Sequence, residues 1–89
     1  MQPETCESIF EKVQLGMTVQ QVNAVLGREG QEHKPRGSVI GYLGWATWHW
    51  KDSTGNNIYV MVILDRRKVM ARHVTVQGSD GPTTSSEDR

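Results

Sequence analysis

The 89-residue sequence is poor in the features that assign a short chain to a common class. Its one cysteine, Cys6, excludes an internal disulfide; we expect a small buried side chain on a helix, with an intermolecular bridge or a lipid anchor as alternatives. The net charge is zero, so no basic excess favours nucleic acid as a partner. No apolar run approaches the roughly 18 residues that a membrane-spanning helix needs.

The start of the chain has neither the basic residues nor the apolar core of a signal peptide. We therefore expect a cytoplasmic protein if Met1 is the native start, and otherwise a mature region preceded by an added Met. Residues 1–4 are expected to be frayed. A chain of 89 residues is long enough for one domain.

The spacings that mark metal and catalytic sites are also missing. The sequence contains no Cys-x-x-Cys or His-x-x-x-His pair. His49 and His73 are expected on one face of a sheet, with a strand between them. Asp52 and Asp65 fall in predicted turns, where Asp is favoured for its local hydrogen bonds. We predict no metal, no cofactor and no enzymatic activity, with a small enzyme or ligand carrier as the lesser alternative.

Two short helices are predicted in the first third of the chain. Thr5 is suited to cap the first, over residues 5–13, in which apolar residues recur at spacings of three and four. Thr18 and Gln21 have the spacing of a capping box at the start of the second helix. Gly27 is suited to the left-handed position that ends it.

Three runs rich in β-branched and aromatic residues predict an antiparallel meander: residues 45–51, 57–64 and 69–76. Residues 38–43 are a weaker edge strand or extended loop, because Gly41 interrupts them. Residues 28–37 are typical of a mobile connection, and residues 78–89, which lack large apolar side chains, of a disordered tail. The predicted fold class is α+β, a two-layer domain over residues 5–77 with two short N-terminal helices packed on a three- to four-stranded antiparallel meander.

Side chains alternate across a strand, so the predicted meander has two distinct faces. Even-numbered positions of residues 57–64 are aliphatic and suit a core beneath the helices. In the last run, Val69, Ala71 and His73 are expected on the side opposite Met70 and Arg72. Two short helices cover one face only, and the odd-numbered face stays apolar, which is typical of a protein interface. The predicted partner-binding residues are Trp45, Thr47, His49, Tyr59, Met61, Ile63 and His73.

Three coverings of this face are consistent with the sequence. It binds another protein, or pairs with a second copy in a homodimeric structural domain, or lies beneath another part of its own chain. The basic turn formed by Arg66, Arg67 and Lys68 is either a solvated hairpin tip or a contact for an acidic lipid headgroup or partner. The latter would allow peripheral membrane association.

The sequence resembles the SmpA/OmlA family, the BamE-like small subunit of the bacterial outer-membrane β-barrel assembly machinery. It is also similar to the related repeat of β-lactamase inhibitor proteins. The similarity covers residues 9–76. It rests on Ile9-Phe10, Leu15-Gly16-Met17-Thr18, Val22 to Leu26-Gly27, Trp48-His49-Trp50, Val60-x-Val62-x-Leu64-Asp65 and Lys68-Val69.

This resemblance implies two helices on an antiparallel sheet and a non-enzymatic role in protein contact, of an envelope-assembly or inhibitor-like kind. It implies a bacterial cell envelope location, in the periplasm or outer membrane, if the chain is a mature region. Two features depart from these families. Pro3-Glu4-Thr5 before Cys6 is not a lipidation signal, and one cysteine does not supply the disulfides of the inhibitor proteins.

Overall fold

A computed structural model of the chain describes residues 5–33 and 43–88. Five antiparallel strands form one sheet in the order β1-β2-β3-β4-β5, and two helices precede them. The helices are α1 (Cys6–Lys12) and α2 (Val19–Leu26). The strands are β1 (Gln31–His33), β2 (Leu43–Lys51), β3 (Asn57–Asp65), β4 (Lys68–Gly78) and β5 (Gly81–Asp88).

Both helices begin and end where the sequence predicts. The Thr5 side chain accepts a hydrogen bond from the Ser8 amide at 3.0 Å, and the Thr18 side chain accepts one from the Gln21 amide at 3.3 Å. Each pair forms a capping box, which satisfies amides that have no partner within the helix. Gly27 ends α2 with a φ of 70°, the left-handed conformation that favours glycine.

The core lies between the helices and the even-numbered face of the central strands. Trp48 of β2 is 2% exposed, and its indole N–H donates to the Asn23 side-chain oxygen at 2.9 Å. The same oxygen accepts from the Gly30 amide at 2.9 Å, and a Cβ atom at Gly30 would overlap the Trp48 ring. The buried residues are Cys6, Ile9, Val13, Val22, Leu26, Ala46, Trp48, Ile58, Val60, Val62, Leu64, Val69 and Val74.

The predicted fold class is wrong in its sheet, which has five strands where three to four were expected. β1 lies within the expected mobile connection of residues 28–37 and pairs with β2 through His33 and Trp45. β5 lies within residues 78–89, the expected disordered tail, and pairs with β4 along its whole length. Residues 1–4, expected to be frayed, and residues 38–43, expected to form a weak strand, lie outside the described residues apart from Leu43 in β2.

A second correction concerns the start of β4, where the pairing with β3 contains a bulge. Ile63 pairs with Ala71 but Leu64 pairs with Val69, so Met70 is an extra residue. The extra residue reverses the alternation, so Val69 is fully buried under the helices. Val69 was predicted on the same side of the sheet as His73 but lies on the helix side. Met70 was predicted on the side opposite His73 but lies on the same side as Trp45 and Met61.

One arginine joins α1 to the C-terminal strands. The Arg72 Nη1 group donates to the Phe10 and Val13 carbonyls at 2.6 Å each, and its guanidinium lies 3.7 Å above the Phe10 ring. Its Nη2 group is 2.8 Å from the Glu87 carboxylate on β5. Cys6 packs nearby and is buried as expected, with its thiol sulfur 3.4 Å from the Val74 carbonyl oxygen. These contacts fix α1 against β4 and β5.

Candidate protein-binding face

The side of the sheet that faces away from α1 and α2, here called the open face, carries large exposed apolar side chains. Trp45 is 37% exposed, Tyr59 41% and Met61 38%. Their neighbours in sequence on β2 and β3 are buried beneath the helices, as the alternating burial of both strands shows. The open face is therefore the odd-numbered face that the sequence predicts.

Strand register arranges the open face in three rows that cross the middle of the sheet. Trp45, Ile63 and Ala71 are partners in the first row. The other two rows contain Thr47, Met61 and His73, then His49, Tyr59 and Thr75. Directly opposed side chains on antiparallel strands lie within contact distance, so the rows form one continuous surface.

Two pairs of stacked rings hold aromatic side chains in place on the open face. The His49 and Tyr59 rings are nearly parallel, with centroids 4.4 Å apart. The His33 and Trp45 rings are 5.3 Å apart at an interplanar angle of 14°. Stacking restricts the rotation of exposed side chains, so Tyr59 and Trp45 lose less freedom when a partner contacts them.

A shallow apolar groove of about 320 Å³ lies at one end of the open face. Met70 reaches this groove because of the bulge in β4. Nearly all of the groove's surface is apolar, so it fits an aliphatic or aromatic side chain better than a charged one. Its lining residues are Leu43, Gly44, Trp45, Met61, Ile63 and Met70.

The structure brings all seven predicted partner-binding residues to the open face, and their role in binding stays a prediction. Four further residues of the open face were not among the predicted binding residues: His33, Met70, Ala71 and Thr75. His33 was expected in a mobile loop and Met70 on the other side, whereas Ala71 was expected on this side but not as a binding residue. A three-residue strand and a single bulged residue leave no periodic pattern in the sequence, so composition and alternation do not reveal them.

The basic turn lies apart from the open face. Lys68 forms a backbone bridge with Thr18, and the Val69 amide donates to the Met17 carbonyl at 2.8 Å, so the turn lies beside the start of α2. Arg66 and Arg67 have φ values of 54° and 68°, which a two-residue hairpin turn of the type I′ kind requires. Their predicted contact with an acidic lipid or partner stays a prediction.

The turn between β2 and β3 is organised by Asp52. Its carboxylate accepts hydrogen bonds from the Thr54 hydroxyl at 2.6 Å, the Thr54 amide at 2.9 Å and the Asn56 amide at 3.0 Å. The hydrogen bond from the Thr54 hydroxyl is the largest cause that holds the pKa of Asp52 below its ordinary value; desolvation opposes it, and the backbone amides of Asn56, Thr54 and Gly55 each lower the pKa by a smaller amount. The turn fixes the register in which Tyr59 opposes His49.

Within residues 5–33 and 43–88, no three or more His, Cys, Asp or Glu side chains lie close enough together to hold a metal ion. His49 and His73 share the open face but stand on β2 and β4, with β3 between them. In the same described part of the chain, neither helix has the length and apolar character to cross a bilayer.

A family model described as beta-lactamase inhibitor (BLIP) matches residues 6–86. No curated protein and no solved structure matches the chain. The matched range contains both helices and every residue of the open face named above. The family match confirms the predicted resemblance to β-lactamase inhibitor proteins. It does not extend to SmpA/OmlA, so the expected envelope-assembly role and the localisation stay predictions.

Proposed function

The chain belongs to the beta-lactamase inhibitor (BLIP) family, and from this premise we propose that it is a non-catalytic domain that binds another protein through its open face. The family is named for the inhibition of an enzyme and not for a catalytic activity of its own, which supports binding without enzymatic activity. The family description also supplies the first partner to test, a β-lactamase. The docking surface is proposed from geometry.

The observation that carries the docking surface is the exposure of Trp45, Tyr59 and Met61 at the centre of the sheet. Each is more than one-third exposed, and register places Met61 in the row between the rows of Trp45 and Tyr59. Burying such side chains in a protein interface removes apolar area from water, and tyrosine and tryptophan are frequent anchors there. A continuous apolar patch of this kind is more typical of an interface than of a free surface.

The strands beneath the patch favour tight binding because they are fixed before a partner arrives. β2 and β3 pair over nine residues from Leu43 to Lys51 and from Asn57 to Asp65, and both have neighbours on their other sides. The stacked His49 and Tyr59 rings restrict side-chain motion as well. A preorganised surface loses less conformational entropy on binding, so more of the contact energy appears as affinity.

The test is inhibition of purified β-lactamases by the wild-type chain, measured as the rate of hydrolysis of a chromogenic cephalosporin. The open-face variant is Tyr59→Ser with Met61→Ser. The matched control is Val25→Ser on α2, because Val25 is 37% exposed but lies on the helix side. Hot-spot anchors contribute about 2 kcal/mol each, or roughly 30-fold in Kd, so we expect the double variant to bind at least a hundredfold more weakly.

Each result of this test has a defined meaning. Inhibition by wild type and by Val25→Ser, lost in the double variant, supports the proposal. Full inhibition by the double variant contradicts the docking surface. Absence of inhibition across the enzymes contradicts the partner. Sedimentation at micromolar concentration tests the alternative of a homodimer, which requires a dimer that the double variant converts to monomer.

A further inference from the structure

All three histidines of the sequence lie on the open face. Register pairs His33 with Trp45, His49 with Tyr59 and His73 with Met61, so every histidine stands beside one of the exposed apolar side chains. The helix side of the described sheet carries no histidine. The only side chains that change charge between pH 5 and 8 at their ordinary values are therefore concentrated on the proposed docking surface.

The direct hydrogen-bonding neighbours of the three rings carry no charge. Each ring has a hydrogen-bonding neighbour without charge: Thr47 at 3.4 Å from His33, Asn57 at 3.4 Å from His49 and Thr75 at 3.3 Å from His73. Two of the rings stack on Trp45 and Tyr59, so one face of each is already covered by an aromatic group. A docked partner would remove much of the remaining water from these rings.

Charged groups near His33 and His73 differ from those near His49. Glu29, Glu32 and the cationic Arg67 line a cavity together with His33, and Glu32 lies on the helix side because it pairs with Ala46. Among the charged side chains that line a cavity beside His73, Asp88 pairs in register with Ala71 on the open face, whereas Arg72 and Glu87 are paired with each other.

His49 has a cationic neighbour instead. Lys51 lies two residues further along β2, on the same face, and Tyr59 covers one side of the ring. The charged side chain that register places beside His49 is therefore a cation, whereas His33 and His73 share cavities with carboxylates. Desolvation of the protonated His49 ring by a partner would be the most costly of the three.

We propose that the open face docks its partner while the histidines are neutral and releases it when they are protonated, with His49 making the largest contribution. This inference rests on the proposed function, because it describes regulation of the same surface. The partner that fits is a protein whose contact region is apolar and carries no carboxylate opposite His49. A partner carboxylate at that point would stabilise the protonated ring and oppose release.

The expected size follows from proton linkage. An ordinary imidazole changes from about one-tenth to about nine-tenths protonated between pH 7.5 and 5.5. A partner that binds only the neutral ring therefore loses about tenfold in affinity for each ring it desolvates. With His49 and one other ring desolvated, the Kd rises about a hundredfold over this range.

The first experiment measures the Kd for the β-lactamase that the chain inhibits best, at pH 7.5 and 5.5, for wild type and for His49→Gln. Whatever the absolute affinity of His49→Gln, we expect the ratio of its Kd values at pH 5.5 and 7.5 to be about tenfold smaller than that of wild type. Equal wild-type affinity at the two pH values contradicts release by protonation but leaves the proposed function intact. A pH dependence that His49→Gln retains in full contradicts the role of His49.

A second measurement does not depend on a β-lactamase binding at all. Retention of the full chain on an uncharged phenyl resin reports the apolar character of the open face. We expect wild type to be retained less at pH 5.5 than at 7.5, the variant His33→Gln with His49→Gln and His73→Gln to be retained equally, and circular dichroism to show the same fold at both. Equal wild-type retention at the two pH values overturns the inference.

Discussion

Replacing Arg72 with methionine is expected to destabilise the domain more than any other single change at the junction of α1 with the sheet. The guanidinium donates to the carbonyls of Phe10 and Val13, both at 2.6 Å, and stacks on the Phe10 ring. Methionine keeps the length of the aliphatic stem but supplies no donor. Two carbonyls at the end of α1 then lose their charged partner.

The magnitude follows from the separate contacts of this side chain. Hydrogen bonds to a charged donor contribute about 1.5–3 kcal/mol each, and a cation–π contact about 0.5–1 kcal/mol. The Glu87 side chain is 47% exposed, so its ion pair with Arg72 adds less than about 1 kcal/mol. At the lower end of these ranges, about 1.5 kcal/mol for each hydrogen bond and about 0.5 kcal/mol for the cation–π contact, we expect Arg72→Met to cost about 3–4 kcal/mol and Glu87→Gln less than about 1 kcal/mol.

Urea unfolding, followed by tryptophan fluorescence, measures both variants. A domain of this size has a slope of about 1 kcal/mol per molar urea, so the midpoint of Arg72→Met should fall by roughly 3 M. Glu87→Gln is the matched control because it removes the ion pair and leaves the two carbonyl contacts. Equal midpoints for the two variants would refute the assignment of stability to the Phe10 and Val13 hydrogen bonds.

Three further changes test local features of the fold. Arg67→Gly should raise the free energy of unfolding by about 0.5–1 kcal/mol, because φ at this position is 68° and glycine adopts this left-handed conformation without strain. An unchanged urea midpoint would contradict a strained turn. Gly30→Ala should lower the free energy of unfolding by about 1–3 kcal/mol, because the added Cβ atom would overlap the Trp48 ring. The thermal midpoint measures this change, and an unchanged midpoint would show that the ring has room to move. Asp52→Asn should be less stable than wild type at pH 7, and the difference should shrink below about pH 4. Because the folded state lowers the pKa of Asp52, the ionised carboxylate stabilises the fold above the unfolded-state pKa, and this stabilisation is lost as the pH falls through the folded-state pKa. A difference in urea midpoints that does not change with pH would contradict this.

Local sequence patterns were sufficient to predict the helices and the two faces of the central strands. Thr5 and Thr18 are caps whose chemistry acts over three residues, so nothing distant is needed to recognise them. The alternation of Tyr59 with Val60 likewise shows which side of β3 is buried. These features depend on short-range hydrogen bonding and on the period of a strand.

The remaining elements depend on contacts between distant parts of the chain. β5 is made of small polar residues, and its order comes from pairing with β4 and from the contact of Glu87 with Arg72. β1 has three residues, and its close approach to β2 requires Gly44, where a Cβ atom would lie 2.8 Å from the His33 carbonyl oxygen. The bulge at Met70 is a register shift, which the alternation of one strand does not encode.

The most direct test of the docking surface is hydroxyl-radical footprinting of the chain alone and in the presence of a β-lactamase that the inhibition assay identifies as a partner, read by mass spectrometry. Trp45, Tyr59 and Met61 are reactive and exposed in the free chain. If the partner docks on the open face, modification of all three falls several-fold in the complex, while Val25 on α2 is modified at the same rate. Protection of Val25 with unchanged modification of Tyr59 and Met61 would contradict docking on the open face.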